Sequence, residues 1–87
     1  MNLDDLFPGA RVIQTGVIQV DTPDTEGTDT IPTVDLTKAF ILHGGSSGAD
    51  FENGSFYLDF ADDETVRATR HGSASTGKVA YTVIELP

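Results

Sequence analysis

Residues 72–78, Gly-Ser-Ala-Ser-Thr-Gly-Lys, satisfy the spacing G-x-x-x-x-G-K with which a phosphate-binding loop wraps an anion in backbone N–H groups. That chemistry also needs Ser or Thr after the lysine to reach magnesium, and a helix whose N-terminus faces the phosphate. Position 79 is Val, and VAYTVIEL is a strand-forming run. The stretch therefore reads as a hairpin turn. Residues 44–48, Gly-Gly-Ser-Ser-Gly, fit the G-x-S-x-G pattern of a nucleophile elbow and follow an apolar run, KAFILH. His43, His71 and several Asp could be named as partners for Ser46. An elbow requires a helix directly after the Ser, on an α/β scaffold far longer than 87 residues. Residues 49–54 instead continue as loop, so the glycines and serines are expected to form a mobile loop and the protein is expected not to be an enzyme.

Metal chemistry fares little better. Setting Gly27 at the sixth position of a calcium-binding EF-hand places Thr22 and Thr33 at the first and last ligand positions, where carboxylates are needed. A looser hard-oxygen site built from Asp21, Asp24, Glu26 and Asp29 stays open. With no Cys and only His43 and His71 as imidazoles, a structural zinc site has too few ligands. No cofactor is expected. Tyr57, Arg67, Arg70 and His71 are the candidate ligand contacts, because aromatic faces and guanidinium groups dominate binding hot spots. The competing expectation is that Arg67 simply pairs with Asp59 or Glu64 across a hairpin.

The elements that would position these residues are strands. RVIQTGVIQV, residues 11–20, is β-branched, with Gly16 where a bulge could switch the buried face. Residues 21–30, DTPDTEGTDT, are turn-formers and acids and predict an exposed loop. IPTVDLT, residues 31–37, is extended, but Pro32 has no N–H to give a ladder, which places it on a sheet edge. KAFILH, residues 38–43, is a strand leading into the loop 44–54. In SFYLDFA, residues 55–61, Phe56, Leu58 and Phe60 alternate with Tyr57 and Asp59, the period-two signature of a half-buried strand. TVRATRH, residues 65–71, completes an antiparallel hairpin with it. KVAYTVIEL, residues 78–86, is apolar on both faces and belongs in a sheet centre or at a subunit contact. The pattern predicts an all-β fold, a small antiparallel β-sandwich or barrel of about six strands over residues 11–87, preceded by an extended N-terminal arm over residues 1–10. Within the arm, Leu3, Leu6 and Phe7 share the i, i+3, i+4 spacing of one apolar helical turn before Pro8-Gly9.

Fourteen acidic against five basic residues give a net charge of -9, which repels phosphate backbones and anionic membrane surfaces, so neither nucleic acid nor membrane is expected as a partner. No apolar run approaches a membrane span, and MNLDDLFPGA lacks the basic and apolar regions of an export signal. A single domain of this size buries about 60–65% of its unfolded surface and is marginally stable alone. Without disulfides, association becomes the expected source of extra stability, with Leu3, Leu6, Phe7, Tyr81 and Val83 as the expected contacts.

From Thr37 to Leu86, the KAF strand ending in small residues, the hairpin ending T-V-R-A-T-R and the closing strand V-A-Y-T-V-I-E follow in the order seen in small β-domains of tailed-phage structural proteins. The run resembles that group over about 50 residues, and its layout is similar to the six-stranded, trimeric H-type lectin sandwiches. The resemblance implies a virion location, a homotrimer, and contact with other phage structural proteins as a capsid decoration or tail component. The alternative it implies is a receptor-binding module that touches host glycans through loops 44–54 and 72–77.

Overall fold

A computed structural model describes residues 8–87. The chain forms β1 (Arg11–Val20), β2 (Glu26–Thr30), β3 (Ala39–Ser47), a single helical turn α1 (Phe51–Gly54), β4 (Tyr57–Asp62), β5 (Thr65–Thr69) and β6 (Gly77–Glu85). These six strands make two three-stranded antiparallel sheets, ordered β1-β6-β3 and β2-β5-β4. The all-β sandwich expected from the period-two patterning is the observed architecture. The first sheet is held by β6, whose register pairs Val12 with Ile84, Ile18 with Val79 and Ile41 with Val83. In the second, β5 is central and carries Val66 and Ala68 between the inward residues of β4.

The core lies between the sheets. Ile18 and Val20 of β1 and Val79, Tyr81 and Val83 of β6 meet Val66 and Ala68 of β5, with Ile31 and Val34 closing one end. Phe56, Leu58 and Phe60 pack half-buried against them, on the face that the alternation predicts. Only small and β-branched groups occupy the fully buried positions of β5, because a short chain has little interior to fill.

Four features depart from the expectations set by the sequence. Half of the expected loop 21–30 is strand β2, which pairs with the free side of β5. Its inward positions are Gly27 and Asp29. A Cβ on Gly27 would lie 2.9 Å from methyls of both Ile18 and Val20, so glycine lets the two sheets close at this edge. Asp29 finds a donor inside, the Tyr81 hydroxyl, and a composition typical of loops is thereby accepted into a sheet. Second, residues 31–35 leave the ladder. The N–H groups of Ile31 and Val34 donate to Glu64 O and Asp63 O at the β4–β5 turn, while their side chains enter the core. Third, β3 continues through Gly44-Gly45-Ser46-Ser47, because β6 is long enough to pair with all of it. The extra length is absorbed in a bulge between His43 and Ser46 where Gly45 takes φ 108°, a conformation glycine adopts without strain. Fourth, the bulge of β1 falls between Val12 and Gln14, not at Gly16. Gly16 has a different task. A Cβ there would stand 2.7 Å from the hydroxyl oxygen of Tyr81, so its bare backbone makes room for that ring.

Candidate functional site

Asn53 joins the two glycine-rich loops that the sequence singles out. The Asp50 carboxylate caps α1 by accepting from the Asn53 N–H at 3.0 Å and from its side-chain amide at 2.7 Å. These donors hold the Asp50 carboxyl below the usual carboxylate range. The Asn53 side-chain oxygen accepts from the N–H groups of Ala74 and Ser75, and Gly72 N–H donates to Glu52 O. Loop 72–77 is therefore pinned onto α1. Both glycines of the apparent phosphate loop are explained by this contact. A Cβ at Gly72 would lie 2.7 Å from Asn53 Oδ1, and one at Gly77 would lie 2.2 Å from Asn53 O. Strand β6 begins at Gly77, in the place where a phosphate loop requires a helix. In the apparent elbow, a Cβ on Gly48 would stand 2.6 Å from the backbone of Gly54, so these two glycines pass back to back.

Arg70 runs beneath the same junction. It is 3% exposed, donates from Nη1 to Asn53 O at 3.0 Å and from Nη2 to Asp24 O at 3.0 Å, and lies over the Phe56 ring at 5.9 Å. Expected as a ligand contact, it is instead occupied with two main-chain carbonyls of its own chain. His71, next to it, is exposed and lines an open cleft of about 450 Å³ with Phe51, Glu52 and Ser55. Phe51 is 84% exposed, the most exposed large apolar side chain described. No periodicity marks it, since it opens a four-residue turn inside a stretch whose composition predicts loop.

Tyr57 and Arg67 stand on the outer face of the β2-β5-β4 sheet. Arg67 pairs with Asp59 through two bonds, 2.9 Å from Nε and 2.5 Å from Nη2, which lowers the pKa of the Asp59 carboxyl and raises that of the guanidinium. The row Thr28, Arg67, Asp59 and the neighbouring row Glu26, Thr69, Tyr57 make this face polar.

The outer face of the β1-β6-β3 sheet carries more apolar side chains and no carboxylate. Four cross-strand rows run over it: Val12, Ile84, Phe40; Thr15, Thr82, Leu42; Val17, Ala80, Gly44; and Gln19, Lys78, Ser47. The hydroxyls of Thr15 and Thr82 stand 3.2 Å apart, which fixes their common side. Val12 is 56%, Val17 61% and Leu42 48% exposed. In a chain with 14 carboxylate side chains, none falls in these rows, and Lys78 is their one charge. Neither a family model, a curated protein nor a solved structure matches this chain.

Of the expected contact residues, Leu3, Leu6 and Phe7 lie outside the described residues. Tyr81 and Val83 are enclosed in the core, because the face of β6 that carries them is the one turned toward the second sheet. The other face of β6 carries Ala80 and Thr82, both half-buried, and Ile84, which is itself buried. Tyr81 is held from two sides. Its hydroxyl donates to the Asp29 carboxylate and accepts from Gln14 Nε2 at 2.8 Å. Burial, followed by the Asp29 carboxylate, pushes its pKa up to about 12. The four acids of the candidate calcium site do not converge. Asp29 turns inward to Tyr81, whereas Asp21 accepts from Gln19 and Thr76 at the surface. Among the described residues no cluster of three metal-ligating side chains occurs.

Proposed function

We propose that this protein is a non-enzymatic assembly module, a structural protein of a phage virion that seats the outer face of its β1-β6-β3 sheet on the particle and associates with its own copies. The observation that carries the reading is that face: it exposes Val12, Val17 and Leu42, holds no carboxylate in its cross-strand rows, and belongs to a chain of net charge -9. A sheet face left to water ordinarily alternates to polar residues on its outward side, as the β2-β5-β4 sheet does. Exposed apolar side chains gathered on one face mark contact with another macromolecule. Capsid decoration and tail attachment both work by such contact.

The test is incorporation. Purified protein is added to particles that lack it, and binding is compared with that of Leu42→Glu, which places a carboxylate on the exposed face while leaving the core untouched. Folded Leu42→Glu that no longer decorates particles supports the reading. Equal decoration by both proteins sinks it.

A receptor-binding module is the second reading, and the exposed Phe51 beside His71 and Glu52 favours it. An aromatic face rimmed by polar groups suits the stacking and hydrogen bonding that a host glycan offers. Phe51→Ala then loses cell or glycan binding while particle incorporation is unchanged.

A further inference from the structure

We propose that the free edge of β1 pairs antiparallel with β1 of a second copy across a two-fold axis, joining two β1-β6-β3 sheets into one continuous sheet. The inference rests on the assembly reading above and specifies the partner and the strand. Edge strands expose unpaired N–H and C=O groups, and proteins guard them with shortness, charge, proline or bulges. The edges of this sandwich differ sharply on those terms. Strand β2 has five residues, two of them acidic, Glu26 and Asp29. Strand β4 has six, carries Asp59 and Asp62, and is bulged between Phe60 and Asp62. Strand β3 is broken by its bulge between His43 and Ser46.

β1 has none of these guards over most of its length. It is the longest strand, with ten residues, and its one bulge lies near its start, between Val12 and Gln14. From Thr15 to Val20 the register against β6 is unbroken, and the run TGVIQV holds no charge and no proline. Among the described residues, the backbone hydrogen bonds of this run go to β6 alone.

The partner is a second copy for two reasons. A chain of net charge -9 repels its own kind at carboxylate-bearing surfaces, and β1 and the outer-face rows of its sheet hold none. In addition, an antiparallel pair of identical strands is self-complementary, the requirement of a two-fold contact. A register centred on Val17 sets Val17 against its symmetry mate and Thr15 against Gln19, leaving the bulge outside the pairing. All of these side chains stay on the outer face, as direct partners in an antiparallel pair must.

Pairing also resolves a shortage of area. Three strands spaced by about 4.8 Å, over about nine residues of about 3.4 Å each, give an outer face with a footprint of about 400 Å². A stable interface takes about 800 Å² from each partner. Two copies joined through β1 present about that much as one surface.

Sedimentation and concentration-dependent amide deuterium exchange test the proposal together. The expected result is a dimer at tens of micromolar, with amides of residues 15–20 gaining protection as concentration rises. Val17→Lys should be a folded monomer, and Leu42→Lys, on the far strand of the same face, should remain a dimer. A monomeric wild type, or a trimer, overturns the pairing. So does an associated wild type whose β1 amides keep the same protection at every concentration, an outcome that needs no variant to fold. Association abolished by Leu42→Lys and retained by Val17→Lys overturns it as well, while leaving the particle-contact reading intact.

Discussion

Tyr81 shows how one side chain is shaped by three distant residues. Gly16 leaves space for its ring, Gln14 donates to its hydroxyl, and Asp29 accepts from it. Its folded pKa of about 12 lies above the ordinary tyrosine value of 10.0, so the folded protein holds this proton more tightly than the unfolded chain does. The stability that follows is fully present below pH 10 and is lost as pH rises through about 12. In Tyr57→Phe, Tyr81 is the one remaining tyrosine, and phenolate absorbance should appear near pH 12. A midpoint at the ordinary value would show that the hydroxyl is not enclosed. The Arg67–Asp59 pair, by contrast, is one of the two that the hairpin suggests, Asp59 or Glu64, and the bulge between Phe60 and Asp62 is what sets Asp59 directly opposite Arg67. No hairpin leads from Tyr81 to Asp29, 52 residues away on another sheet.

At the level of elements, the helical turn α1 and loop 72–77 behave as one unit because the Asn53 side chain donates to the Asp50 carboxylate that caps α1 and accepts from the N–H groups of Ala74 and Ser75. Replacing Asn53 with Ala removes the acceptor for the N–H groups of Ala74 and Ser75, two part-buried hydrogen bonds whose net contribution is about 0.5–1.5 kcal/mol each. Denaturant unfolding should register a loss in that range, with faster amide exchange confined first to residues 72–77. A change of less than about 0.5 kcal/mol, the size typical of neutral surface substitutions, would mean that the loop is held by something else. Several strands are legible in the amino-acid sequence: β1 to both of its ends from its β-branched run, the β4–β5 hairpin with its buried Val66 and Ala68 from alternation, and β6 from its two apolar faces, which suit the sheet centre it occupies. β2 is not, because nothing in DTPDTEGTDT supplies an apolar alternate row. Its strand form depends on the vacant edge of β5 and on an interior partner for Asp29.

For the molecule as a whole, charge sets how copies meet. With net charge -9, approach is opposed at low ionic strength, where screening lengths reach about 30 Å at 0.01 M salt against about 10 Å at 0.1 M. Association through an apolar, carboxylate-free surface should therefore strengthen as salt is added. Sedimentation at those two salt concentrations checks this, and association weakened by salt would point to a contact made by opposite charges. The sequence by itself determined the fold class, the acidity, most of the strands and the strand that follows the Gly72–Lys78 motif where a phosphate loop needs a helix, since each follows from local composition and period. Tertiary structure alone decided which face of β6 meets the second sheet. Both of its faces are apolar in sequence, and a period-two pattern cannot say which side will be covered. That choice enclosed Tyr81 and Val83 and left Val12, Val17 and Leu42 facing water, because Tyr81 found both its glycine gap and its Asp29 partner on the inner side.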